Sequence, residues 1–381
     1  MYTIRMPAAA LLLLSLPLFA YAAEPTREQK VREDRKRVEA EGYWIYNDLE
    51  KGFAEARRTG KPMLVNLRCL PCEECVKLDD DLVEQDPVVR PLLDEYVCVR
   101  VVGTNGLDLS LFQYDTDQSF AVFLLNADKT IYGRFGTRSH RTEWVGDVSI
   151  EGMAKALKKG LELHAGYPAN RAQLTAKTGE ALEFATPEKY PALKDRYTDT
   201  INYSGDVVKS CIHCHQIGDA RREYYRSRGE AIPESLLFPY PHPRMLGLEF
   251  DPRECATLRE VIAGSPAAES GFQAGDQIES LNGQPLVSVA DVQWVLHNLE
   301  ASGDELNARV LREGRPLDLK IELPAGWKRA GDISWRVSTW GLRRMTTGGL
   351  VLINAAEERR AALDIPGRCP GGVRRPHRSR Q

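Results

Sequence analysis

A chain of 381 residues is long enough for two or three domains, each with a core of its own. Its net charge of −3 leaves no electrostatic case for nucleic acid as a partner. After the first 22 residues no apolar run approaches the roughly 20 residues needed to cross a bilayer, which argues against a transmembrane segment in the mature chain.

The N-terminus has the layout of an export leader. Arg5 precedes an apolar run from Ala8 to Phe19, and Ala20-Tyr21-Ala22 forms a small-x-small cleavage site. Residues 1–22 are therefore expected to be a cleavable signal peptide. The mature chain is expected in the periplasm or otherwise outside the cytosol, where conditions are oxidising.

Residues 38–164 read as one α/β unit. Glu50 to Thr59 is an amphipathic helix, and Gly60-Lys61-Pro62 turns into the strand Met63–Leu67. The cluster Cys69-Leu70-Pro71-Cys72-Glu73-Glu74-Cys75 follows at once, then a helix over 76–82. A strand over 96–102, a hairpin from Phe120–Leu125 to Thr130–Phe135, and a helix over 151–163 complete the unit. A thiol in the first turn of a helix meets unpaired N–H groups and the positive dipole end, both of which stabilise thiolate. This order and motif resemble the thioredoxin-like superfamily. The resemblance implies Cys72 as attacking thiol and Cys75 as resolving thiol, with Cys69/Cys72 as the other register. Ser119 stands where that superfamily carries a cis-proline, which leaves room for a catalytically lapsed scaffold. A structural disulfide with a spare thiol and soft-metal (copper or zinc) capture by the three cysteines are the other readings.

Residues 165–243 change to charged, helix-forming types, with helices expected over 172–184 and 187–197 and from Ser204 into the motif. That motif, Cys211-Ile212-His213-Cys214-His215, is the attachment pattern of c-type cytochromes. It implies one covalent haem c on Cys211 and Cys214, with His215 as proximal iron ligand. Met245 or His242 is the nearest downstream distal ligand, Met153 and His164 lie upstream, and an open sixth position is the alternative. A disulfide beside a histidine, or a zinc site, competes with haem here.

From Leu246-Gly247-Leu248 onward the chain carries Gly264-Ser265-Pro266-Ala267-Ala268, then Gly275-Asp276-Gln277-Ile278, then Asn282-Gly283 closing a hairpin. A helix follows over 289–296, and a last hairpin ends near Leu323. Residues 244–324 closely resemble the bacterial PDZ family, a mostly-β domain. The resemblance implies that an extended peptide, often a free C-terminus, adds beside Leu246, Gly247 and Leu248 and touches Val292, Gln293 and Leu296. The partner would be a periplasmic or membrane-associated protein. No serine-nucleophile motif or two-histidine zinc helix is present, so proteolysis is not expected. Residues 325–381 form an aromatic-containing extension and a basic Arg/Pro/Gly tail, with a faint start of a second PDZ near Gly348.

The expected architecture is thus multidomain, with a thioredoxin-like α/β domain, a short helical haem-motif segment and a mostly-β PDZ domain. The expected function is redox or electron transfer on a partner docked through the PDZ. A non-catalytic periplasmic adaptor or a copper-handling protein is the alternative.

Overall fold

The computed structural model describes residues 25–68, 86–118, 120–137 and 148–333, with isolated positions between 336 and 363. The leader, the Cys69–Cys75 cluster, the segment 76–82 expected to be helical, Ser119 and the tail beyond 363 lie outside the described residues. None of the described helices is long and apolar enough to cross a membrane.

The first helix, α1 (Arg27–Glu41), was not anticipated, because it is polar nearly all round. It begins with a reciprocal cap: Thr26 Oγ1 accepts from Gln29 N, and Gln29 Oε1 accepts from Thr26 N. Its inner side is only Val31, Asp34 and Val38. Helix α2 (Leu49–Thr59) starts at the Asp48 cap and stops at Gly60, which takes φ 70°.

A five-stranded sheet follows, built from β1 (Ile45–Tyr46), β2 (Met63–Leu67), β3 (Val97–Val101), β4 (Phe120–Leu125) and β5 (Ile131–Thr137) in the order β1-β3-β2-β4-β5. Strands β1, β3 and β2 are parallel, while β4 and β5 return antiparallel as the expected hairpin. Every residue of β2 and β3 is buried, so these strands read as continuous runs rather than alternating ones. One face packs Leu64, Val122, Leu124 and Tyr132 against Met153, Ala156 and Leu157 of α3 (Ile150–Ala165). The other packs Val65, Leu67, Val99 and Phe123 against Phe53 of α2 and against Leu107 and Phe112.

Between residues 165 and 213 the expected long helices are replaced by single turns, at Arg171–Leu174, Thr175–Lys177, Pro187–Lys189 and Val207–Ser210. Gly179 and Pro191 interrupt helix-forming composition, Gly179 by its low helix propensity and Pro191 by removing an intrahelical donor. The one long helix of this segment is α4 (Cys214–Ser227).

The C-terminal part pairs β6 (Leu248–Phe250) with β7 (Leu258–Val261). It also forms a four-stranded sheet of β8 (Gln277–Leu281), β9 (Gln284–Pro285), β10 (Asp304–Arg312) and β11 (Arg315–Leu323), ordered β11-β10-β8-β9. Helix α5 (Val289–Asn298) packs Val292, Val295 and Leu296 into this core.

The back of α5 is buried as well, against the first sheet. Asp291 accepts from Arg134 N on β5 (3.1 Å) and from Val287 N (3.0 Å). Its carboxylate also faces the Lys177 ammonium at 2.9 Å, with both side chains 1% exposed. Ser288 Oγ donates to Arg134 O at 2.6 Å, and Trp294 Nε1 donates to Ala176 O at 3.0 Å. The Arg134 guanidinium lies 3.7 Å from the Trp294 ring centroid. At Gly133 a Cβ would meet Val287 Cγ2 at 2.2 Å, so only glycine permits this approach. The free edge of the first sheet is thereby covered by a helix of the C-terminal part.

Candidate functional site

Strand β2 ends at Leu67, and Arg68 N still bonds Val101 O at 2.8 Å, so the chain leaves toward Cys69 at the carboxyl end of the parallel β2–β3 pair. Cys69, Cys72 and Cys75 themselves lie outside the described residues. Sequence reading missed the charged group beneath this end. Arg100 and Arg68 both turn toward Asp34 of α1, with Nη1–Oδ1 separations of 3.4 and 4.0 Å, and the Arg100 guanidinium lies 4.8 Å from the Trp44 ring centroid. The signal was present as Asn66, Arg68 and Arg100 in otherwise apolar strands. All three are buried.

The second cysteine motif is fastened to the same end of the sheet. Thr104 N and Thr104 Oγ1 donate to Ile212 O at 3.0 and 2.9 Å. Ile212 N donates to Asn105 Oδ1 at 2.9 Å, and Asn105 Nδ2 donates to Ser210 O and Thr198 O. A Cβ on Gly103, two residues past β3, would lie 3.4 Å from Cys211 Sγ.

The two thiols of this motif pack in different apolar clusters. Cys211 is 2% exposed and sits in an apolar cluster with Val31, Val102, Ile201 and Val207. Burial pushes its thiol up to about 11, helped by the charge of Glu28. Cys214, the first residue of α4, packs instead against the larger cluster that holds Ile212, Ile217 and Ala220. The His215 side chain is 45% exposed, 3.8 Å from Asp219, and its ring lies parallel to that of His213 with centroids 6.0 Å apart. Among the described residues no three or more Cys, His, Asp or Glu side chains are grouped to hold a metal. Haem attached through both thiols requires them on one porphyrin edge, so this arrangement does not fit the group without Cys211 leaving its cluster. Met245 and His242 are not gathered with the motif either. Met245 packs at the margin of the C-terminal core, and His242 Nδ1 accepts from Arg244 N at 3.3 Å.

The six residues expected to receive a peptide do come together. Leu246, Leu248, Val292 and Leu296 share one core cluster, and Gln293 lies on the same helix. Gly247 takes φ 86°, and a Cβ there would fall 1.9 Å from Ser265 Oγ, so the tight turn before β6 demands glycine. All six are buried, with Gln293 3% exposed and Val292 at 0%.

Residues 44–127 match the thioredoxin-like family, and residues 245–323 match the PDZ domain. A thioredoxin-like domain is joined to a PDZ domain. Among curated proteins, the "Probable periplasmic serine endoprotease DegP-like" of Pseudomonas savastanoi pv. phaseolicola is 31% identical over 115 residues, 29% of this chain and 23% of that protein. The "Periplasmic pH-dependent serine endoprotease DegQ" of Escherichia coli is 38% identical over 73 residues, 19% of this chain and 16% of that protein. A solved serine endoprotease from Yersinia pestis overlaps 18% of this chain and 25% of its own, at 27% identity and a TM-score of 0.16. The chain thus spans less than a quarter of the length of these two curated relatives.

Proposed function

We propose that this chain is an exported thiol–disulfide protein that acts on a partner docked through its PDZ domain. The observation that carries the reading is that β2 runs straight toward Cys69 at the carboxyl end of a parallel strand pair, within a thioredoxin-like match. The leader-like N-terminus and the periplasmic names of the relatives support export. The proteolysis in those names belongs to them, since no serine-nucleophile motif is found in this sequence.

In this reading the Cys72 thiolate attacks a partner disulfide. A bond forms between Cys72 and one partner sulfur, and the other partner sulfur leaves as thiolate and takes up a proton. Cys75 thiolate then attacks the Cys72 sulfur, releasing the second partner thiolate. The partner disulfide gains two electrons and a Cys72–Cys75 disulfide remains. Covalent haem on Cys211 and Cys214 is a reading of the motif alone, and no step is assigned to it.

A Cys75→Ser chain mixed with a disulfide-bonded peptide tests this. The expected product is a stable adduct on Cys72, absent from Cys72→Ser/Cys75→Ser. Failure of Cys75→Ser to form any adduct contradicts the exchange reading and favours the adaptor.

A further inference from the structure

The groove between β6 and α5 is where a peptide would add, yet its lining is buried within the chain itself. The cover is the segment Pro239-Tyr240-Pro241-His242-Pro243-Arg244, which runs along α5 and across to β6. At one end the Tyr240 ring stacks on His297, with centroids 4.1 Å apart and planes 13° from parallel. Tyr240 N donates to His297 Nδ1, and Tyr240 O accepts from Gln293 Nε2, each at 3.3 Å. Burial, with the charge of Lys328, holds the His297 imidazole down to about 3, so it stays neutral and keeps an acceptor. The backbone of Tyr240 is thus held by side chains of α5, on the helix side of the groove. At the other end His242, with Phe135 of β5, closes over Glu249, Phe250, Ser288 and Val289. Only about 30 Å³ is left there, room for about one water.

We propose that this segment is an intramolecular strap that keeps the PDZ groove shut, and that an extended peptide enters only when the strap swings out. The inference rests on the reading of the PDZ domain as a peptide-docking module. Three features make the segment a strap rather than a permanent part of the fold. Three prolines lack N–H donors, so it cannot be zipped onto β6 as a strand. Tyr240 sits at φ 46°, a left-handed conformation that a side chain bearing Cβ holds only against a cost, and that its neighbours must enforce. A further space of about 170 Å³, bordered by Lys328, Gly331 and Asp332, lies beside the strap and gives it somewhere to move.

The test uses the full mature chain and a fluorescent pool of random heptapeptides with free carboxyl termini, with the amidated pool as control. Tyr240→Gly accepts the positive φ and so keeps the backbone, while removing the ring that covers the helix. It is expected to bind the free-carboxyl pool at least ten times more tightly than the wild type, with the amidated pool much weaker. Tyr240→Phe keeps the stack and is expected to match the wild type. In the same samples, amide exchange at Leu248 and Phe250 should rise in Tyr240→Gly alone. Equal affinities for wild type and Tyr240→Gly overturn the strap while leaving peptide docking intact. No binding by either, with the fold preserved by exchange elsewhere, overturns peptide docking itself and the strap with it.

Discussion

Asp291 accepts from two backbone amides and faces a buried ammonium, so it joins three separate parts of the chain at one carboxylate. Asp291→Ala leaves Lys177 without its partner in a dry interior, and removing one member of such a pair costs about 3–5 kcal/mol. Urea unfolding should show that loss. Asp318→Ala, which breaks an exposed pair with Arg309, should leave the urea midpoint essentially unchanged. Glu183 provides a second residue-scale prediction. Burial acts to raise its pKa, but hydrogen bonds from Arg221, the Arg221 charge and the Tyr190 hydroxyl outweigh it and hold the carboxyl at about 2. A depressed carboxylate contributes stability that is present above its unfolded value, about 4.3, and is lost as pH falls toward 2. Glu183→Gln should therefore be less stable than wild type at pH 7, and the gap should close between about pH 4.5 and 2. A gap that persists unchanged at pH 2 assigns the stability to packing instead.

At the scale of elements, α1 illustrates how a helix with almost no apolar stripe earns its place. Its Glu28 carboxylate accepts from Val207 N and Val208 N at 2.9 and 3.0 Å, Arg32 donates to Tyr203 O and Gly205 O, and Val31 covers Cys211. Cys211 should therefore resist alkylation in the folded chain, and Val31→Asp should expose it. Mass-tagging of the Cys211 peptide should rise at least tenfold in that variant, while Cys98, buried in a separate core cluster, stays protected. Fast tagging of Cys211 in the wild type contradicts this packing. Elements whose apolar pattern is local were legible in advance: β2, β3, the β4–β5 hairpin, α2, α3 and α5 all lie where periodicity puts them. Helix α1 was not legible, because its partners are backbone groups about 180 residues away. The helices expected over 172–184 and 187–197 failed because composition favoured them while Gly179 and Pro191 interrupt them. The cover on the back of α5 was hidden for the same reason as α1, since it comes from Gly133, Arg134 and Ala176–Lys177, far off in the chain. The peptide-site residues were found by family pattern, but the strap over them was not, because Tyr240 reads as one more residue of a proline-rich linker.

At the scale of the whole molecule, the thioredoxin-like and PDZ domains share a buried ionic and aromatic interface rather than a free linker. A docked peptide and the sheet end that leads to Cys69 would then be held in a fixed relation. One consequence is cooperative unfolding: calorimetry of the mature chain should give a single main transition in which both domains melt together. Two well-separated transitions would mean that the α5–β5 interface contributes little. The most direct measurement of the chemistry at that sheet end is a redox titration of the mature chain in glutathione buffers, with each cysteine assigned by alkylation and mass. One reversible two-electron step is expected among Cys69, Cys72 and Cys75, within the about −120 to −270 mV spanned by exchange proteins, while Cys98 and Cys211 stay unmodified throughout. Three cysteines locked in one state across that range would contradict a thiol–disulfide role and leave the chain a docking protein.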